Sequence, residues 1–145
     1  MSSKLVIVLD REILQKLANI RLVESKALLD IGMYDGAYYL SGYVIELALK
    51  ACIAKKTKEY SYPDLKTVKA SYTHDLSDLL KTAELEPTFL KDKKKDPQLG
   101  IYWSIVEGWS EETRYIINDK QDAEGLFDAI SDNNSGVFTW IKQHW

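Results

Sequence analysis

The side chains best equipped for chemistry in this chain are few: three arginines, two histidines and one cysteine. Arg114, followed by Tyr115, offers a planar guanidinium whose paired N–H groups suit a phosphate or a carboxylate. It reads either as a phosphate or nucleotide grip beside Tyr115, or as an ion pair with Glu46 that ties one helix end to another. Glu46 and Lys50 stand at the i,i+4 spacing on a very apolar stretch, where such a pair stabilises by roughly 0.2–0.5 kcal/mol. That alone leaves Tyr39 and Tyr43, on the same strip, without a role. His74-Asp75 has the residue types of an acid–base pair, yet directly before Leu76 the dipeptide starts a helix, with Asp75 accepting from first-turn amides. Cys52 lies on the inner arc of its helix, where a thiol stays protonated and behaves as a small apolar group. Tyrosines at 34, 38, 39, 43, 60, 62 and 72 are numerous enough for a tyrosine-rich groove or dimer face.

The elements that must position these residues follow from periodicity. Asp30 to Lys56 carries Ala37, Leu40, Ser41, Val44, Ile45, Leu47, Ala48, Ala51 and Cys52 around more than half of a helix circumference, which predicts a central helix. Its polar strip is Tyr39, Tyr43, Glu46 and Lys50. Before it, from an N-cap at Asp10, Ile13, Leu17, Ile20, Ala27, Leu28 and Ile31 recur at three- and four-residue steps up to a stop at Gly32. The short connection Met33-Tyr34-Asp35 makes the two an αα-hairpin. Leu5 to Leu9 is ambiguous between a strand and an extended lead-in.

Thr57 to Thr73 has no clear period and contains Pro63, which predicts a long exposed connection. Leu76, Leu79, Leu80 and Ala83 make one face of a third helix that Pro87 ends. Lys91 to Pro97 reads as a solvated loop, with Asp96 and Pro97 opening a fourth helix to about Thr113. Leu99, Tyr102, Trp103, Val106 and Trp109 line its inner side. A fifth helix runs from Ala123 nearly to Trp145, weakened at Asn133 to Gly136. The expectation is one all-α domain over residues 1–145, an up-and-down bundle of about five helices.

Composition narrows the function classes. The chain has 145 residues, 46% hydrophobic and 28% charged, with a formal net charge of −3. Such a balance is that of a globular chain with a real core, and it exerts no global pull on nucleic acid or membrane. A single cysteine excludes a disulfide framework within the chain, and His74, His144 and Cys52 cannot build a zinc site of Cys and His. No metal site, cofactor, Gly-rich phosphate loop or internal repeat is read. Leu5 to Leu9 is too short for a membrane span and lacks a cleavage pattern, so a soluble, unprocessed, cytoplasmic protein is expected.

Several stretches together resemble the HEPN family, the small helical domains named for higher eukaryote and prokaryote nucleotide binding. They are SKALLDIGMYDGAYYLSGYVIELALKA from Ser25 to Ala51, His74-Asp75-Leu76 with Leu79-Leu80, Trp109 followed by Arg114-Tyr115, and Phe138-Thr139-Trp140-Ile141-Lys142. The resemblance implies a bundle of about five helices that often dimerises. In its nucleotidyltransferase-associated prokaryotic type, the gene travels with one for a minimal nucleotidyltransferase, in some cases as a toxin–antitoxin pair. Catalytic members are metal-independent ribonucleases with an arginine, four to six residues, then a histidine. An arginine to hold the scissile phosphate and a histidine to exchange a proton are the minimal set for attack by an RNA 2′-hydroxyl.

That pattern is absent here. Where histidine should follow Arg114 stand Asp119, Lys120 and Gln121; after Arg11 stand Lys16, Leu17 and Ala18, and after Arg21 Lys26, Ala27 and Leu28. The reading is therefore a non-catalytic HEPN-like module, with no catalytic residue assigned. It forms a homodimer, meets a nucleotidyltransferase partner, and binds nucleotide or RNA through Arg114, Tyr115, Glu46, Lys50, Tyr43 and His74. The alternative is a divergent metal-independent ribonuclease or toxin component using Arg114 with Asn118, Asp119 or His74.

Overall fold

The computed structural model describes residues 10–59 and 65–145, and the stretch Leu5 to Leu9 and part of the 57–73 connection lie outside them. Helix α1 spans Arg11–Asp30 and starts at Asp10, whose carboxylate accepts the Ile13 N–H at 3.0 Å. It stops in a Schellman motif: Met33 N–H donates to Leu28 O, Gly32 N–H donates to Leu29 O, and Gly32 takes φ +80°. Only glycine adopts that conformation without a Cβ penalty. Helix α2, Tyr34–Glu59, then returns against α1.

The face of α1 that meets α2 is not the expected one. Leu14, Ala18 and Ser25 are buried, whereas Ile13, Ile20 and Ile31 are exposed. Side-chain size decided the phase. Ala18 and Ser25 are fully covered, and their small volume lets the helices approach closely; Gly36 of α2 likewise leaves room for Leu28. Helix α2 is central as expected, with Ala37, Val44, Ile45, Ala48, Leu49, Cys52 and Ile53 all inside. Residues Tyr34–Thr57 are long and apolar enough to cross a membrane by length and composition, but 72% of an 18-residue window within them is buried by the rest of the protein.

Beyond α2 the boundaries depart from expectation in several places. Part of the predicted exposed connection is a short helix, α3, Leu65–Ala70. Helix α4, Leu76–Thr82, is capped by Asp75 and buries Leu76, Leu79 and Leu80 as predicted. It ends at Thr82, and Pro87 instead opens α5, Glu86–Lys95, so the predicted charged loop is mostly helix. Lys93, Lys94 and Lys95 occupy its last turn, where cations complement the helix dipole. Asp92 turns inward and accepts from Trp140 Nε1 at 2.8 Å.

Helix α6, Pro97–Val106, is shorter than the predicted fourth helix, and a 3-10 turn, Glu111–Tyr115, follows it. The break falls where Ser110 caps the turn by accepting from Glu112 N–H. The predicted fifth helix is two: α7, Lys120–Ser131, and α8, Val137–Ile141. A Cβ on Gly136 would lie 2.5 Å from the carbonyl oxygen of Asp132, so the weak point is a tight turn that requires glycine. Helices α4, α7 and α8 pack on α2, and the described residues contain helices and no strand. The backbone oxygen of Trp145 accepts from Arg11 and from Gln15, joining the two ends of the described fold.

Candidate functional site

Because α2 is covered nearly all round, its polar strip must find partners inside the fold, and it does. Lys50 Nζ donates to Glu46 Oε2 at 3.2 Å, and both side chains are buried. Glu46 Oε1 lies 2.8 Å from His74 Nδ1, and the other ring nitrogen, Nε2, lies 3.2 Å from Glu111 Oε2. One imidazole thus bridges the central helix and the 3-10 turn. The Tyr39 and Tyr43 hydroxyls meet at 3.1 Å. Burial, then the hydrogen bond to Tyr39 and the nearby Glu46 charge, pushes the Tyr43 phenol well above its ordinary pKa.

Trp109 stands between these groups and the turn. Its ring packs edge-on to Tyr43 with centroids 5.1 Å apart and lies 6.2 Å from Tyr39. Its approach to α2 is possible because residue 42 is glycine. Among the described residues the buried indole Nε1 has no hydrogen-bond partner.

Arg114 does not pair with Glu46: among the described residues no carboxylate lies within ion-pair reach of its guanidinium. His74 holds the place at Glu46 that Arg114 was expected to take. Arg114 instead lies over the Tyr115 ring, 5.0 Å from its centroid, at the surface. The phenolic oxygens of Tyr115 and then Tyr39 raise its pKa above the ordinary value. It lines an open groove of about 340 Å³ with Asp35, Gly36, Tyr39, Thr113, Tyr115, Ile116 and Ile117. A second groove of similar size runs along His74, Asp75, Glu107, Trp109, Glu111 and Glu112 and is acidic.

The six sequence-predicted residues therefore fall into two groups: Tyr43, Glu46, Lys50 and His74 in one cluster, Arg114 and Tyr115 in the neighbouring groove. Tyr39 touches both sides, and Trp109 packs on Tyr39 and Tyr43. Glu111 was missed, because a helix running on to Thr113 gives residue 111 no reason to meet residue 74. Gly42 had a signal, since a lone glycine in an apolar helix often marks a close approach. Asp119 carries a different task from the catalytic one weighed for it. Its carboxylate accepts the Asp122 N–H at 2.8 Å in a capping box that starts α7. Asn118 is held through its own N–H by Asp35. Cys52 is buried, and desolvation pushes its thiol up to about 12. No group of His, Cys, Asp and Glu among the described residues could hold a metal ion.

The family model of the HEPN domain matches residues 12–133. No curated protein and no solved structure is a match to the chain.

Proposed function

Since the chain belongs to the HEPN domain family, we propose that it is a non-catalytic member that acts by association: it pairs with a second copy, meets a minimal nucleotidyltransferase, and takes a nucleotide or RNA phosphate on Arg114. The observation that carries the reading is the division of labour between its polar residues. Arg114 is free of carboxylates at the mouth of an open groove, while His74, in the neighbouring groove, is engaged between Glu46 and Glu111. A phosphate grip without a proton carrier binds and does not cleave. Asp119 is engaged in capping α7, where its carboxylate accepts the Asp122 N–H.

The second copy is proposed to dock on the ridge beside that groove. Tyr115, Ile116 and Ile117 are 77%, 57% and 89% exposed, an unusual run of large apolar surface. Arg114 and Asp35 line the same groove with opposite charge, which is what a two-fold docking needs, since each cation can then face the partner's carboxylate. A guanidinium carries five N–H donors, enough for a carboxylate and a phosphate together.

Thermal-shift titration with ATP, GTP and short RNAs tests the phosphate grip: stabilisation that vanishes in Arg114→Ala is expected, and no shift with any of them removes it. Light scattering at tens of micromolar should give a dimer that Ile117→Lys dissociates; a strict monomer removes the dimer. Incubation with structured and unstructured RNA should give no arginine-dependent cleavage. Co-expression with a nucleotidyltransferase encoded beside it should give a complex that survives gel filtration.

A further inference from the structure

We infer that His74 is a positioning residue and a proton-operated clamp, holding the 3-10 turn that presents Arg114 onto the central helix only while its ring carries both protons. The geometry is specific to one imidazole. Nδ1 lies 2.8 Å from Glu46 Oε1 and Nε2 lies 3.2 Å from Glu111 Oε2, so each nitrogen faces a carboxylate oxygen. An imidazolium donates on both sides; a neutral imidazole has one N–H and must turn a lone pair toward the other carboxylate. Glu46 is fixed, being buried and tied to Lys50. Glu111 is 39% exposed on a short turn, so it is the partner that lets go.

The surroundings make the switch answerable to solvent. His74 is itself 39% exposed, and it opens on the groove shared with Asp75, Glu107, Glu111 and Glu112. From α2 it faces Glu46, whose other oxygen pairs with Lys50, and the Tyr43 ring, 6.4 Å away edge-on. With the imidazolium present, the charges of Glu46, Lys50, His74 and Glu111 sum to zero; with neutral imidazole they leave one uncompensated negative charge. Glu111 lies three residues before Arg114 in the same turn. Releasing it therefore loosens the element on which Arg114, Thr113 and Tyr115 line their groove. Histidine is the one side chain whose ordinary titration range lets this happen near physiological pH.

The chain has only two histidines, so their ring signals can be assigned in the full-length protein by one substitution. An NMR titration from pH 5 to 8.5 should show the amides of residues 110–115 and the Arg114 side-chain Nε shifting with the same midpoint as the His74 ring. In His74→Gln, which offers a single donor group, that shared step should be lost while His144 titrates as before. Glu111→Gln, at an exposed position, should abolish the step at 110–115 and leave the His74 titration visible. The idea is overturned if the 110–115 amides show no step at the His74 midpoint, or if the step persists in both variants. The consequence for ligand rests on the phosphate reading: ATP affinity should fall severalfold between pH 5.5 and pH 8 in the native chain and not in His74→Gln. Absence of ATP binding at both pH values would count against the phosphate grip, whereas the ligand-free titration decides the clamp by itself.

Discussion

Replacing Gly42 by alanine separates two opposed effects cleanly. In a helix interior alanine is favoured over glycine by about 1 kcal/mol, so propensity alone predicts a more stable protein. At this site a Cβ would lie 2.0 Å from Cδ2, 2.1 Å from Cε2 and 2.2 Å from Nε1 of Trp109. No side chain tolerates that, and the indole, only 2% exposed, must move. Overpacking a core costs typically ~1–3 kcal/mol and deleting a buried tryptophan ~3–5 kcal/mol. A displaced but retained indole falls between, at about 2–4 kcal/mol, and after the propensity gain of about 1 kcal/mol a net loss of about 1–3 kcal/mol is expected. Urea denaturation followed by circular dichroism measures the loss, and tryptophan emission should shift to the red as the ring leaves Tyr39 and Tyr43. In a Trp109→Leu background the same alanine should be close to neutral, a coupling of more than about 1 kcal/mol. Stabilisation by Gly42→Ala alone, or an equal cost in both backgrounds, would refute the reasoning.

Three further outcomes are expected. Glu46→Ala leaves Lys50 buried without its carboxylate, and breaking such a pair costs typically ~3–5 kcal/mol; a loss under about 1 kcal/mol in chemical denaturation would contradict the buried geometry. Cys52, with its thiol raised by burial to about 12, should resist thiol reagents at pH 8 in the native state and react at once in urea. Because the folded pKa lies above the unfolded value of about 8.5, its contribution to stability is complete below that pH and is lost as pH rises toward 12; Cys52→Ala should flatten that decline in a pH series of melts. Asp119→Ala removes the cap of α7 and should cost about 1 kcal/mol, while leaving the response of the protein to ATP and RNA unchanged.

The fold class, the hairpin of α1 and α2, and the burial of Leu76, Leu79, Trp103 and Trp109 could be read from periodicity and punctuation, because those residues obey one dominant force. The phase of α1 could not. A search for large apolar residues selects Ile13 and Ile20, whereas helix contact at short distance selects Ala18 and Ser25. Lys91 to Lys95 misled for a related reason: charge marks solvent, and a solvated helix face looks like a loop. Within the site, the strip Tyr39, Tyr43, Glu46 and Lys50 was visible from spacing, as was its need for a partner. Which partner it takes depends on where α6 stops, and Ser110 is a weak stop signal. The chain therefore offered Arg114 for Glu46, and the fold supplied His74.

The contact between Trp145 and the first turn of α1 bears on the order in which the molecule assembles. Arg11 and Gln15 reach an oxygen 134 and 130 residues away, and closing so long a loop is entropically the least favourable step. The α1–α2 hairpin, whose contacts are near in sequence, is expected to form first, with Arg11 and Gln15 reaching Trp145 after it. An interaction made that late stabilises the native state without lowering the folding barrier, so it governs how slowly the bundle opens rather than how quickly it forms.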